Sequence, residues 1–262
     1  MEWWTAVILG VIEGLTEFLP VSSTGHLIVT GHLLGFTGEM ASSFEIAIQL
    51  GAILAVMFYY RERLYTVVTS FPREEKSRNL ILALGGAFLP AAVIGLSIHS
   101  FITEHLFSPK TVAAALIIGG ITILVIERTR TQFRIHDVSE LRIRDAVLIG
   151  FAQCLALFPG VSRSGATIMG GLLIGLDRKT ATEFSFLLAL PTMLAATGYQ
   201  LVKSRELLLE ENMIYLGIGM VVAFFTALAV IGAFLKYVTT NTFVPFAYYR
   251  IVFGTIVLYL FW

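Results

Sequence analysis

Apolar residues form six stretches that are long enough to cross the hydrocarbon core of a bilayer, which takes roughly 17 to 25 residues. The six stretches cover residues 43–60, 80–101, 111–126, 181–201, 214–235 and 244–261. Two further apolar regions, 3–34 and 145–174, are interrupted near their middles by Pro, Gly and Ser. Each interrupted region has two arms of about half-membrane length, which predicts a re-entrant helical hairpin whose turn lies inside protein rather than lipid.

The two interrupted regions are copies of one another at an offset of 140 residues, and turn residues such as Ser22 and Ser162 keep register. Three predicted spans separate the copies, and this odd number makes them enter the membrane from opposite faces. The sequence therefore predicts an all-α integral membrane protein with six transmembrane helices plus two re-entrant helical hairpins in an inverted-topology repeat. We expect a single membrane domain over 1–262, with repeat one at about 1–126 and repeat two at about 145–262.

Composition agrees with a membrane protein, since 56% of the 262 residues are hydrophobic and 14% are charged, against about 25% charged residues in soluble domains. The formal net charge is zero, so no overall field favours nucleic acid, and we expect membrane lipids as partners instead. No pattern in the chain indicates a particular oligomeric state.

The placement of Lys and Arg predicts the orientation, because cytoplasmic loops are enriched in both. If both termini lie outside, the inner loops hold thirteen basic residues: Arg61, Arg63, Arg73, Lys76, Arg78, Arg128, Arg130, Arg134, Arg142, Arg144, Arg178, Lys179 and Lys236. The outer loops then hold three: Lys110, Lys203 and Arg205. The remaining two, Arg163 and Arg250, fall within apolar segments, and the neighbouring Tyr248 and Tyr249 make Arg250 an expected interfacial anchor.

The first hairpin carries two carboxylates, Glu13 and Glu17, four residues apart and hence on one helical face. Ionisable groups inside a bilayer are costly, at about 2.5 to 3.5 kcal/mol each at a helix centre, so such a cluster indicates a functional site. The two carboxylates are candidates to hold a divalent cation, or to share a proton. A hydroxyl-rich turn follows them and comprises Ser22, Ser23, Thr24, Gly25 and His26.

The second hairpin replaces these groups with a Gly- and Ser-rich turn that contains Arg163. Backbone N–H groups at the start of a helix favour phosphate, and a guanidinium grips phosphate with two parallel hydrogen bonds. This turn is therefore a candidate oxyanion cradle. Its further members are Ser162, Ser164, Gly165 and Thr167.

Together the hairpins offer the groups that phosphoryl transfer requires, namely a nucleophile, an acid or base, and positive charge. Ser23 is a candidate nucleophile whose proton passes to Glu17 or His26. His26 is alternatively the acid for the leaving phosphate, or the nucleophile itself. The residue pattern leaves these roles open.

Two motifs resemble those of the undecaprenyl-diphosphate phosphatases of the bacitracin-resistance type. The first runs from Glu13 to His26 and reads Glu-Gly-Leu-Thr-Glu-Phe-Leu-Pro-Val-Ser-Ser-Thr-Gly-His; the second runs from Pro159 to Thr167 and reads Pro-Gly-Val-Ser-Arg-Ser-Gly-Ala-Thr. The resemblance covers nearly the whole chain. It implies a phosphatase of the bacterial plasma (inner) membrane that converts undecaprenyl diphosphate to the monophosphate at the outer side, which recycles the lipid carrier of cell-wall synthesis and confers bacitracin resistance.

The resemblance also implies site roles: catalytic glutamates at Glu13 and Glu17, a nucleophilic serine at Ser23, a histidine at His26 and a phosphate-binding arginine at Arg163. It further implies stimulation by a divalent cation, Mg²⁺ or Ca²⁺. Type-2 phosphatidic acid phosphatases are less similar, because they have a histidine six residues after the arginine, where this sequence has Met169. The chief alternative function is a polyprenyl-lipid flippase or secondary transporter, since inverted repeats with broken helices are also typical of transporters.

Overall fold

The computed structural model of the chain describes residues 2–106, 108–129, 132–203 and 213–261. The described residues form eleven α-helices: α1 (Trp3–Thr16), α2 (Ser23–Leu33), α3 (Glu39–Tyr59), α4 (Arg61–Ser70), α5 (Glu75–His105), α6 (Pro109–Thr129), α7 (Ile143–Cys154), α8 (Arg163–Ile174), α9 (Arg178–Lys203), α10 (Met213–Val238) and α11 (Val244–Leu260). Two short 3₁₀ helices lie at Val138–Glu140 and Leu155–Leu157. The prediction of an all-helical protein is confirmed.

Four helical segments are long and apolar enough to cross a membrane: Glu39–Tyr59, Glu75–Ile98, Pro109–Thr129 and Met213–Val238. Large apolar side chains project outward from them, as with Leu89 and Val93 in the middle of α5. In a folded protein that faced water such residues would be unfavourable, whereas lipid solvates them. The chain is thus a multi-pass membrane protein by its helices.

The helix boundaries follow the offset of 140 residues, which relates α1 to α7 and α2 to α8 almost residue for residue. The helix packing follows the same offset. Helix α1 packs on α10 while α7 packs on α5, and α3 packs on α10 while α9 packs on α5. The third pair, α6 and α11, packs together. Helices of each half therefore pack on helices of the other half, and equivalent helices make equivalent contacts.

The turns of the two hairpins share an unusual backbone conformation. Ser22 has φ of 71° and Ser162 has φ of 73°, and they are the only described residues other than glycine with positive φ. A residue with a side chain is strained in this left-handed region, so the surrounding structure has to hold it there. Gly160 brings the second turn against α6, where an added Cβ would lie 2.7 Å from the carbonyl oxygen of Val112.

Ion pairs gather the basic loops at one end of the helix bundle. Arg63 pairs with Glu183 at 3.1 Å, which joins α4 to the start of α9. Arg178 pairs with Glu127 at 2.6 Å, which joins α9 to the end of α6. Glu127 also accepts a hydrogen bond of 2.7 Å from the backbone N–H of Phe243, just before α11. We call this region the basic end.

Candidate active site

Three predicted site residues from the two hairpins meet in one hydrogen-bonded chain. Ser23, the first residue of α2, donates from Oγ to Oε2 of Glu17 at 2.5 Å. The other carboxylate oxygen of Glu17 accepts from Nη2 of Arg163 at 3.1 Å. Arg163 is the first residue of α8 and so occupies the position in its repeat that Ser23 occupies in the first. Two hydrogen bonds thus connect the hydroxyl of Ser23, the carboxylate of Glu17 and the guanidinium of Arg163.

The guanidinium of Arg163 is held by α9. Its Nη1 donates to the carbonyl oxygen of Ser185 at 3.0 Å, and its carbon lies 5.7 Å from the ring centroid of Phe18. Thr167, one turn further along α8, contacts the Ser185 hydroxyl at 2.7 Å. Nε of Arg163 is buried and has no hydrogen-bond partner within the part of the chain that the structure describes. This donor is available to a ligand that brings its own acceptor, such as a phosphate oxygen.

A cavity of about 220 Å³ opens onto these groups. It is lined by the hairpin residues Glu17, Ser22, Ser23, Thr24, Pro159, Gly160, Ser162 and Arg163, together with Gln49, Thr192 and others. A second cavity of about 560 Å³ lies between α5 and α9 and is mainly apolar. Both cavities are bordered by Gln49, Arg163 and Thr192. A polar chamber therefore adjoins an apolar one, with Arg163 at the junction.

Glu13 lies one helical turn before Glu17 in α1 and is fully buried, at 0% exposure. Neither of its carboxylate oxygens has a hydrogen-bond partner among the described residues. A buried carboxylate without partners is unfavourable unless it is protonated or binds a cation. Its unpaired oxygens suit a divalent cation of the Mg²⁺ or Ca²⁺ type. The described residues contain no group of three or more His, Cys, Asp or Glu side chains able to hold a metal, so further ligands would have to come from substrate or water.

His26 points away from the serine towards α11. Its Nδ1 lies 2.8 Å from the carbonyl oxygen of Ser22, and its Nε2 lies 2.6 Å from the hydroxyl of Tyr249. Because a carbonyl oxygen only accepts, Nδ1 carries a proton, and in the neutral ring Nε2 then accepts from the hydroxyl of Tyr249. The ring also stacks on Phe253 with centroids 4.2 Å apart. Both ring nitrogens are therefore engaged outside the chain of Ser23, Glu17 and Arg163.

The remaining predicted residues hold the turns, and one of them, Ser162, also lines the cavity. Ser162 caps α8, with its Oγ accepting from the N–H of Gly165 at 3.1 Å. Ser164 donates to the carbonyl oxygen of Leu19 at 2.8 Å and so ties the second turn to the first. Gly25 lies against α6, where an added Cβ would be 3.3 Å from Val112.

The interpretation of Arg250 as an interfacial anchor is wrong, because its side chain is 1% exposed. It donates five hydrogen bonds of 3.0 to 3.3 Å to backbone carbonyl oxygens. Three of these acceptors lie in the hairpin turns, namely Pro20, Gly160 and Val161. The other two are Ala115 and Leu116 in α6. One guanidinium therefore fixes both turns to each other and to α6.

Sequence reasoning also missed Tyr249, the partner of His26, and Ser185, which holds Arg163. A signal for the position of Arg250 exists in α6. An added Cβ at Gly119 would lie 2.1 Å from Nη2 of Arg250, so only glycine leaves space for the guanidinium. Gly119 can be linked to Arg250 only when α6 and α11 are known to pack together.

Comparison with known proteins gives a consistent result. The sequence profile of the family "Bacitracin resistance protein BacA" matches residues 6–256. The chain is 52% identical over 253 residues to an undecaprenyl-diphosphatase of Aromatoleum aromaticum, with 97% of this chain and 92% of that protein covered. It is 52% identical over 262 residues to an undecaprenyl-diphosphatase of Methylobacillus flagellatus, covering 98% and 97%. A further undecaprenyl-diphosphatase, from Maridesulfovibrio salexigens, is 52% identical over 261 residues, covering 99% and 98%.

Proposed function

Because this chain belongs to the bacitracin resistance protein BacA family, we propose that it hydrolyses undecaprenyl diphosphate to undecaprenyl phosphate and inorganic phosphate. The observation that carries the proposal is the hydrogen-bonded chain of Ser23, Glu17 and Arg163. It combines a nucleophile, a base and a phosphate-binding cation beside a cavity of about 220 Å³. This reaction recycles the lipid carrier of bacterial cell-wall synthesis and confers resistance to bacitracin.

In the first step, the hydroxyl of Ser23 attacks the terminal phosphorus of the diphosphate. Glu17 takes the hydroxyl proton through the existing hydrogen bond of 2.5 Å. The bond between the terminal phosphorus and the bridging oxygen breaks, so the electron pair leaves on polyprenyl monophosphate and the phosphoryl group stays on Ser23. Arg163 neutralises charge on the phosphoryl oxygens, where fixed positive charge is most effective in a transition state.

In the second step, water attacks the phosphoserine. Glu17, after passing its first proton to the departing monophosphate or to solvent, accepts one proton from this water. The bond between phosphorus and the serine oxygen breaks, Ser23 regains a proton, and inorganic phosphate leaves. One water is consumed and one phosphoric anhydride bond is cleaved. His26 positions the first turn through the Ser22 carbonyl in this scheme, rather than transferring a proton to Ser23.

Glu13 is the residue that would hold a divalent cation, since its two buried oxygens lack partners. Such a cation, when bound, neutralises the charge of the diphosphate and so lets it approach the carboxylates of α1. Glu17 is less available as a ligand, because its two oxygens already bond to Ser23 and Arg163.

We further infer six membrane spans and two re-entrant hairpins in inverted topology, in the bacterial inner membrane. Equivalent helices of the two halves make equivalent contacts across the halves, which supports the inverted repeat. The basic end carries Arg63 and Arg178 and is the cytoplasmic end under the positive-inside rule, which leaves both termini outside. The apolar cavity between α5 and α9 adjoins Arg163, so the polyprenyl chain leaves the phosphate site through it.

The test is release of inorganic phosphate from a polyprenyl diphosphate by purified protein in detergent, with and without chelator. We expect Ser23→Ala to abolish release while the protein keeps its melting temperature. Ser97→Ala is the matched control, because Ser97 is exposed on α5 and bonds only to Val93 of its own helix. Turnover of Ser23→Ala at the rate of this control would contradict the assignment of the nucleophile.

A further inference from the structure

The base of the second hairpin, where α7 begins and α8 ends, contains a cavity of about 600 Å³ that is separate from the phosphate site. Its wall carries three arginines, Arg134, Arg142 and Arg144, against two acidic residues, Glu140 and Asp145. Its remaining lining includes apolar side chains at the ends of the two hairpin helices. The cavity therefore offers a net positive, partly apolar surface.

Two of these arginines are available to a ligand. Arg142 and Arg144 are exposed and form no ion pair with any residue in the described ranges. Arg134 donates from Nε to the carbonyl oxygen of Ile174 at 3.2 Å, which fixes its position beside the end of α8. The three arginines exceed the two acidic residues by one charge, and two guanidinium groups without an ion pair favour a phosphate, since planar forks bind phosphate oxygens in pairs.

The basic cavity adjoins an apolar one. Leu173, 43% exposed, lines both this cavity and a second of about 450 Å³ between α6, α7 and α8. The second cavity is lined almost wholly by apolar side chains, among them Ile118 and Leu155. At its far end it reaches Gly165 and Arg250, behind the turn of the second hairpin. The two cavities share Leu173 in their walls, and we call them together the α7–α8 groove.

We propose that the α7–α8 groove binds an anionic phospholipid. The phosphate of the headgroup lies at Arg142 and Arg144, and one acyl chain passes Leu173 into the apolar cavity. Charge selects the occupant, because the groove has its arginines at one end and apolar side chains along the rest, as an anionic amphiphile requires. Arg134 and Arg142 lie at the base of the second hairpin, on the same side of the protein as the basic end. Anionic headgroups at the cytoplasmic membrane surface attract basic residues there.

A lipid in the α7–α8 groove would stabilise the second hairpin by packing against it. The chain would fill space that borders Gly165 and the guanidinium of Arg250, both of which contact the turn that carries Arg163. The proposal does not depend on the reaction at Ser23, because it concerns a different cavity and its readout is lipid binding.

The test measures the melting temperature of the intact protein in detergent as phosphatidylglycerol is added, with phosphatidylcholine as the zwitterionic comparison. We expect phosphatidylglycerol to raise the melting temperature and phosphatidylcholine to have a much smaller effect. The double variant Arg142→Gln/Arg144→Gln should bind phosphatidylglycerol about 25-fold more weakly, at about fivefold for each arginine near a headgroup. The matched control is Arg73→Gln/Arg78→Gln, which removes two exposed arginines from the loop before α5 and its first turn and should leave the affinity unchanged.

Further measurements distinguish a lipid headgroup from a soluble phosphate and test whether the acyl chain contributes to binding. Leu173→Trp should weaken phosphatidylglycerol binding while all arginines remain, because the indole blocks the passage between the two cavities. Equal affinity of the wild type and the Arg142/Arg144 double variant would overturn the proposal. A rise with glycerol phosphate that the double variant abolishes would also overturn it, since the cavity would then hold a soluble anion. Retained lipid counted by native mass spectrometry gives the same comparison without heating.

Discussion

Replacing Arg250 tests whether one buried side chain organises both hairpins. The change to Gln removes the guanidinium and leaves a shorter, neutral polar side chain. In the wild type, Nη1 bonds to Pro20 of the first turn at 3.1 Å and to Val161 of the second at 3.0 Å. Nη2 bonds to Gly160 at 3.1 Å. The carboxamide of Gln has only two N–H donors and cannot replace these bonds.

The size of the effect follows from two opposing terms. Each hydrogen bond from a charged donor contributes about 1.5 to 3 kcal/mol, so the three turn bonds represent about 4.5 to 9 kcal/mol in total. Dehydration of the guanidinium costs several kcal/mol and offsets part of this. Removing the guanidinium leaves buried carbonyl groups without partners, at about 1 to 3 kcal/mol each, and after the partial offset we expect a net loss of about 3 to 5 kcal/mol. For a chain of this size the melting temperature should fall by about 6 to 20 °C.

Catalysis should suffer more than stability, because Arg250 spans the turns that carry Ser23 and Arg163. A displacement of about 1 Å between reacting groups costs about 10²-fold in rate. We therefore expect phosphate release by Arg250→Gln to fall about 100-fold at temperatures where the protein is still folded. Arg250→Lys should be intermediate, since an ammonium keeps the charge and three donors.

The assay measures phosphate release and melting temperature on the same preparations. Arg128→Gln is the matched control, because Arg128 is exposed near the end of α6 and its loss should change neither quantity. If Arg250→Gln keeps both the turnover and the melting temperature of the control, Arg250 does not hold the turns and the reasoning is refuted.

Three other predictions address the base, the cation and the helix packing. Glu17→Gln should lower phosphate release by about 10² to 10⁴-fold, since Ser23 loses its proton acceptor; release within threefold of wild type would exclude Glu17 as the base. Glu13→Gln should raise the Mg²⁺ concentration for half-maximal activity about tenfold or more, and an unchanged Mg²⁺ titration would show that Glu13 is not a ligand. Gly51→Ala should destabilise the protein by about 1 to 3 kcal/mol, because the new Cβ would lie 2.2 Å from the carbonyl oxygen of Met220. Gly85→Ala, where no atom lies within 4 Å, is its control, and equal melting temperatures would contradict the close packing of α3 on α10.

Much of the fold was predictable because lipid imposes simple rules on sequence. A helix that crosses a bilayer must be apolar over its length, so hydropathy locates helices directly. The helices nevertheless extend past the apolar stretches, as α5 does from Glu75 to His105, against a prediction of 80–101. Polar residues such as Glu75 continue a helix beyond the hydrocarbon core, and hydropathy gives no signal there.

The candidate site residues could be singled out for a related reason. Polar groups such as Glu17 and Arg163 are costly within apolar segments and therefore mark function. The sequence predicted that Glu17 and Arg163 belong to one site, but not that they form an ion pair of 3.1 Å. Which groups Ser23 and His26 would choose as partners depends on helix rotation and on α11, which lies more than 200 residues away in sequence. Sequence left Glu17 and His26 as candidates to take the proton, and the contact between His26 and Tyr249 supports the proposal of Glu17.

Arg250 shows why the same rule needs tertiary information. The cost of a buried charge indicated that this arginine required partners, yet its partners are backbone carbonyl oxygens, which every residue has. Backbone acceptors leave no trace in side-chain identity, so the pattern of Tyr248 and Tyr249 indicated an interface instead. The turns it joins contain Ser22 and Ser162, both held at positive φ. A strained turn in each hairpin and a single guanidinium between them form one unit, and the positions of Ser23 and Arg163 relative to each other depend on it.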